Sequence, residues 1–353
     1  MKKMMSLMLS IIMALVVNTT GLEKACAQKK ESVKELVESL EVGEPVYYEN
    51  LTIIPIYISR VKDQTRYTTL EGALKNKWLG IAELEGGHVP QVKLTNRSNK
   101  YIYIMGGEIL SGCKQDRIIG RDILLGPKSK NVLAPVYCVE QGRWAYQSNE
   151  FYSKANLGTH ELRAEAQIAR GASQTKIWDK VSQLNRRMKV NSKTDAYQEV
   201  YERNEVKEKM VSFKREFQNI PQLHNDTVGI VVGVGKEIVS VDIFANPYLF
   251  EKMWPKLLKS STLSAIGSHE PGVITQRAAA KFLSGLHYKK YKQNSAIDLG
   301  IEFCAVDNEA NINALVYRNI VIHLSAFPQE GKGTRGRKEK DTERRIPVMK
   351  RQR

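Results

Sequence analysis

Apolar positions fall into three regimes along the chain. Between residues 44 and 147 they come in short runs rich in β-branched and aromatic side chains: Leu51 to Ser59, Gln91 to Leu94, Tyr101 to Met105, Ile118 to Leu125 and Asn131 to Val139. Gly86-Gly87, Asn96 to Asn99, Gly106-Gly107 and Gly126-Pro127 punctuate the runs, which predicts strands joined by turns. Tyr101 to Ile104 is continuously apolar, as in a strand covered on both faces. The expectation is a β-rich N-terminal lobe folded as a sandwich or partial barrel.

From 155 to 220 the period lengthens. Ile177, Val181, Leu184 and Met188 are spaced i, i+4, i+7, i+11, and Val206, Met210, Phe213 and Phe217 repeat that spacing. The residues between are largely charged, which predicts two amphipathic helices with one buried stripe each. Asn191 to Thr194 marks the break between them.

From 224 to 328 both periods occur. Thr227 to Val234 and Glu237 to Phe244 flank the turn Gly233-Val234-Gly235-Lys236 and predict a hairpin. Asn246 caps a helix opened by Pro247, with Leu249, Phe250, Met253, Trp254, Leu257 and Leu258 on its apolar face. Pro271-Gly272 precedes a second helix through Ala278, Phe282 and Leu286. Three more strands follow, at Leu299 to Val306, Ile312 to Tyr317 and Ile320 to Leu324. The fold class expected is α+β: a β-rich lobe, amphipathic helices, then a mixed α+β C-terminal lobe. Residues 329–353 are Gly- and charge-rich without an apolar period, so a disordered basic tail is expected.

The first 27 residues read as a signal peptide. Lys2 and Lys3 precede a short apolar run from Met4 to Val17, and Ala25-Cys26-Ala27 supplies a small-x-small cleavage site. The run is too short to span a bilayer. The expectation is an exported bacterial protein, periplasmic or extracellular, with no transmembrane span in the mature chain.

The whole chain has 353 residues, with 54 Lys and Arg against 38 Asp and Glu, a net charge of +16. The length suits about two domains. Part of the charge sits in the tail, where ten Lys and Arg face three acids after residue 330. An exported basic tail suits an acidic envelope polymer; a solvated tail with no partner is the plainer reading. It lacks interleaved aromatics, so nucleic acid is not the expected partner. Of four cysteines, Cys113, Cys138 and Cys304 remain after cleavage, and buried thiols are the favoured reading.

Several chemistries lack their signature. None of the six histidines has a second at i+3 or i+4, and no Cys-x-x-Cys occurs, so no metal site is expected. No Gly-x-Ser-x-Gly elbow supports a serine hydrolase. The Gly233 to Lys236 turn has neither P-loop nor dinucleotide spacing. His323, between Ile322 and Leu324, reads as a satisfied core histidine.

Two polar strings beside apolar strands carry the candidate chemistry. One runs from Gly106 to Arg117 and the other from Pro135 to Trp144. Paired, they would place Glu108 and Glu140 opposite Lys114, Arg117 and Arg143 in one pocket. Arg offers a forked donor for carboxylate or phosphate, and Trp144 a stacking face. An internal salt-bridge network is the equal structural alternative.

The strings resemble the ARG (ADP-ribosylglycohydrolase) and Rhodanese-Phosphatase-superfamily-associated Protein domain family, an uncharacterised bacterial family. The resemblance rests on Gly107-Glu108, Lys114-Gln115-Asp116-Arg117 and Cys138-Val139-Glu140-Gln141-Gly142-Arg143-Trp144, and extends through Trp178, Phe244, Trp254 and His323. Asp116 stands where the family pattern has Asn, which favours a salt bridge with its basic neighbours. The family name implies association with NAD-derived metabolism, a cytoplasmic business that sits uneasily with an export signal.

The leading expectation is a binding protein for a small anionic, nucleotide- or ADP-ribose-like ligand. Lys114, Gln115, Arg117, Gln141 and Arg143 line the site, with Trp144 stacking. On that reading Arg117→Ala and Arg143→Ala abolish binding and spare the fold. The alternatives are a hydrolase with Glu108 or Glu140 as general base, Cys138 being a weaker nucleophile, and an envelope structural protein whose polar strings are ion pairs.

Overall fold

The computed structural model describes residues 32–84, 90–148, 150–168 and 171–329. The expected signal peptide and all of the expected tail beyond Gln329 lie outside the described residues. Helix α1 (32–38) leads into β1 (Leu40–Val42), β2 (Val46–Tyr48) and β3 (Leu51–Ile58). Next come β4 (Thr68–Thr69), α2 (Leu70–Lys75), β5 (Leu79–Glu83), β6 (Gln91–Asn96), β7 (Ile102–Ile104) and β8 (Ile109–Gly112). Then follow β9 (Arg117–Ile119), β10 (Ile123–Leu125), β11 (Val132–Cys138) and β12 (Phe151–Tyr152). Helices α3 (His160–Ala166), α4 (Gln174–Arg187) and α5 (Asn204–Phe217) precede the hairpin β13 (Thr227–Val234) and β14 (Glu237–Phe244). Helices α6 (Pro247–Ile266) and α7 (Gln276–His287) separate it from β15 (Lys292–Ser295), β16 (Ile301–Val306), β17 (Ala310–Tyr317) and β18 (Ile320–Pro328). The class is α+β, with a nearly closed, barrel-like sheet.

The largest sheet has the order β1-β3-β13-β14-β18-β17-β16-β15, with β2 also pairing β3. Strand β3, read from sequence with the first β region, therefore belongs to the sheet of the last third, its Ile54 opposite Val231. The middle of the chain supplies a six-stranded sheet, β12-β8-β9-β11-β6-β5, and a three-stranded one, β10-β7-β4.

The large sheet is covered on both faces, which is why β13 (TVGIVVGV) is buried throughout. Val231 packs with Ala279, Leu283 and Leu286 of α7 and with Val33 and Val37 of α1. Ile230 and Val232 pack with Phe250, Met253 and Leu257 of α6 and with Phe213 and Phe217 of α5. Each such buried side chain contributes roughly 1.5–3 kcal/mol. Helix α6 starts where expected: Asn246 Oδ1 accepts the Leu249 N–H at 2.9 Å, and Pro247 needs no partner at the first position. The stripes expected in α4 and α5 face inward, with only Met210 half-exposed.

Helix α2 interrupts the region read as strands, α1, β1 and β12 were not expected, and three further departures stand out. The run Ile118 to Leu125 splits into β9 and β10: the Gly120 N–H still bonds the Pro135 carbonyl of β11 at 2.9 Å, and Arg121 and Asp122 then leave the ladder. Asp122 turns inward to accept the Gly106 N–H at 2.7 Å and to meet His323 at 2.6 Å. The buried stripe of α7 is Ala279, Leu283 and Leu286, one residue on from Ala278 and Phe282. Strand β15 was not expected: its Lys-Gln-Asn-Ser sequence is fully exposed and carries no apolar signal.

Candidate functional site

The two polar strings do meet. Strand β9 pairs both β8 and β11, with Arg117 opposite Leu110 and Cys138, so the turn after β8 and the turn after β11 lie side by side. Gly112 and Cys113 open the first turn with positive φ of 108° and 48°. In the second, a Cβ on Gly142 would come within 2.8 Å of the Thr194 backbone. Gly142 there donates its N–H to the Thr194 carbonyl at 2.8 Å, which ties the turn to the segment after α4.

Ion pairs knit the turns together. Arg143 bridges Glu140 at 2.6 Å and Asp116 at 3.2 Å, and donates to the carbonyls of Cys113 and Ala145 at 2.7 and 2.9 Å. Glu140 also accepts from Thr194 Oγ1 and from the Asp116 N–H. Asp116 accepts the Gly112 N–H at 3.0 Å, and its ion pair is with Arg143 rather than with its chain neighbours Lys114 and Arg117 as expected. Arg117 donates to Gln115 Oε1 at 3.0 Å and Cys138 Sγ at 2.9 Å, with Glu83 at 3.8 Å. Gln115 donates to the Glu140 carbonyl. Gln115, Asp116, Arg117 and Glu140 are buried. Burial pushes the Cys138 thiol up despite the neighbouring Arg117, which disfavours it as a nucleophile.

The outward layer is different. Trp144 and Tyr146 are 56% and 63% exposed, and Gln141 is exposed beside them. Lys114 Nζ lies 5.2 Å from the Trp144 ring centre and 5.3 Å from that of Tyr146. No carboxylate pairs with Lys114 among the described residues. A cation held against two exposed aromatic faces, on a turn locked from beneath, can meet a ligand that is both flat and anionic.

Glu108 corrects the expected pocket. It does not join the cations of the turns but points into the interior, where its carboxylate accepts from Lys256 at 2.9 Å and from the Met105 N–H at 3.3 Å. Lys256 also donates to Glu71 at 2.6 Å. Burial raises the Glu108 pKa to about 7; Lys256 pulls it back and the Glu71 charge adds to the rise. A second ionic centre lies where the sheets meet. His323 sits between Asp122, 2.6 Å from Nδ1, and Asp242, 3.2 Å from Nε2. Arg163 grips both Asp242 oxygens, at 3.1 and 2.5 Å. Burial opposes protonation of His323, but the two carboxylates raise its pKa to about 9. Burial likewise opposes the Asp242 charge, and Arg163 with His323 brings its pKa down to about 2.

A family model for the ARG and Rhodanese-Phosphatase-superfamily-associated Protein domain, ARPP-1, matches residues 39–327. The chain belongs to the ARPP-1 family. No curated protein and no solved structure matches the chain. The ARPP-1 match spans both ionic centres and the Trp144 turn. Cys113, Cys138 and Cys304 of this ARPP-1 domain are free and buried. Among the described residues no group of three or more His, Cys, Asp or Glu can hold a metal, and no helix is long and apolar enough to cross a membrane.

Sequence reasoning passed over Asp122, Arg163, Asp242 and Lys256 of the ARPP-1 interior, and Tyr146 of its surface. Two of the interior residues did leave a signal. Lys256 continues the buried stripe of α6 through Leu249 and Met253 at i, i+4, i+7, and Asp242 interrupts an apolar strand as His323 does. A lone charge on a buried stripe needs a buried partner.

Proposed function

We propose that the protein is an exported binding protein for a small anionic ligand with a flat ring, nucleotide- or ADP-ribose-like, that docks on Trp144 and Tyr146. Lys114 meets its anionic group and Gln141 its hydroxyls. The observation that carries the reading is Lys114 held against two exposed rings on a turn braced by Arg143. Gln115, Arg117 and Arg143 serve as frame rather than as direct contacts, since their donors are engaged by protein groups. Export rests on the signal-peptide pattern of residues 1–27.

The test is a thermal-shift screen against ADP-ribose, nucleotides, sugar phosphates and acidic glycans. A ligand at 100 times its dissociation constant adds about 2.7 kcal/mol, a shift of a few degrees. A hit that Trp144→Ala removes supports the reading. No hit across the panel moves the assignment to an envelope structural role in which both clusters only hold the fold. The hydrolase reading draws on the raised pKa of Glu108 and its buried Oε2, which has no hydrogen-bond partner among the described residues. It predicts turnover, at the Glu108–Lys256 centre rather than on the Trp144 turn, of a substrate from the same panel, which Glu108→Gln abolishes and Trp144→Ala spares.

A further inference from the structure

A small cleft opens where Gly120, Arg121 and Asp122, in the break between β9 and β10, face β16 and β17. Arg121, Asp122, Gln167, Glu302, Cys304 and Asn313 are among its lining residues, and its volume is about 20 Å³, room for about one water. Its members differ in how fully they are engaged. Asp122 is held by Gly106 and His323, and Gln167 by the Gly106 carbonyl and Ser325. Arg121, a third exposed, has Glu302 as its sole polar partner among the described residues, with one N–H donated at 3.0 Å. A guanidinium carries five N–H donors in a fork shaped for a carboxylate. Glu302 itself is buried and also has Arg121 as its sole partner there.

We propose that this cleft is a binding site for a small carboxylate group, which takes Arg121 from Glu302, the anion that occupies it from within. The cleft itself has room for about one water, so the carboxylate engages Arg121 at its mouth, where that side chain is a third exposed, and only an oxygen enters. Protonation of Glu302 frees the guanidinium, so proton uptake and anion uptake are linked. Burial raises the Glu302 pKa to about 7, Arg121 opposing the rise and Asp122 adding to it. The charged and titratable groups around Glu302 are Arg121 and Asp122 across the cleft, Cys304 on its own strand and His323 behind Asp122. The Cys304 thiol, raised to about 11, and His323, raised to about 9, keep their protons between pH 6 and 8, so Glu302 is the group that switches.

The probe is formate, whose charge is constant over that range, titrated against chloride at equal ionic strength and followed by NMR. The wild-type protein should bind formate roughly tenfold more tightly at pH 6 than at pH 8, following the fraction of protein with Glu302 protonated. Glu302→Gln leaves Arg121 free at any pH, so it should bind equally at both pH values and at least as tightly as wild type at pH 6. The double variant Arg121→Ala/Glu302→Gln, which strands no buried charge, should not bind. Trp144→Ala should bind as wild type does, which separates this site from the ring-stacking one. Absence of binding by wild type and Glu302→Gln at pH 6, binding unaffected by pH, or binding that survives in the double variant overturns the proposal.

Discussion

The cluster around Arg143 draws nearly all its members from two adjacent turns, whereas the network around His323 gathers residues from a loop, a helix and two strands far apart in the chain. The first ties Arg143 to Glu140 and Asp116 at the edge of a sheet, with aromatic rings exposed above it. The second links Asp122, His323, Asp242 and Arg163 with no solvent contact to speak of. Local pairing near the surface braces a turn and leaves its outer face free to recognise something. Distant pairing in the interior fixes how the sheets sit against one another, at the cost of desolvating every charge. The contrast teaches that a cluster rich in arginine is not for that reason an anion site. What counts is whether its donors are already engaged.

That contrast can be broken by substitution. The largest effect is expected at Arg163→Ala, which leaves Asp242 buried and without its bidentate partner. The cost is about 3–5 kcal/mol, a fall in melting temperature of roughly 10 °C if the variant folds at all. A loss within a degree or two would mean that the inner network is not structural.

A shift in pH acts on the same network next. The His323 pKa is raised in the folded protein, so its stabilisation is complete below the unfolded value of 6.5 and is lost as pH rises through about 9. Chemical denaturation should therefore show stability falling by about 3 kcal/mol between these values. His323→Gln should flatten that fall. Glu108, also raised, adds a decline at lower pH, between its usual 4.5 and about 7, which Glu108→Gln should remove.

Arg143→Ala should cost less, about 2 kcal/mol, because the side chain it removes is partly solvated. This replaces the sequence-based expectation that the substitution spares the fold, since the guanidinium bonds four protein groups. The smallest effect on stability belongs to Trp144→Ala and Tyr146→Ala, each within about 0.5 kcal/mol by thermal melting. Their effect on ligand affinity should be large, about 1–3 kcal/mol per stacked ring.

The two regions also differ in how far they were legible in the sequence. The hairpin ending at Phe244, the Asn246 cap and the stripes of α4 and α5 were readable because each is set by neighbours within a few residues. The Glu140-Gln141-Gly142-Arg143-Trp144 turn was readable for the same reason. The position of β3 was not, since a fully apolar strand carries no mark of its partner, and β3 pairs with residues more than 160 positions away. The inner network was hidden similarly: Arg163 and Asp242 lie on elements whose contact is decided only when the sheets assemble. Glu108 was placed with the wrong cations because it shares a string with Lys114 and Arg117, while its partner Lys256 lies 148 residues on.

The central claim is that the outward layer of the turn recognises a ligand while the layer beneath holds it still. Calorimetric titration of ADP-ribose into wild type and into the Trp144→Ala/Tyr146→Ala double variant, with melting curves for both, tests it most directly. The account predicts binding by wild type, loss of at least about 30-fold in affinity in the double variant, and melting temperatures within about 3 °C of each other. Equal binding by the two proteins, or no binding by wild type, would contradict it.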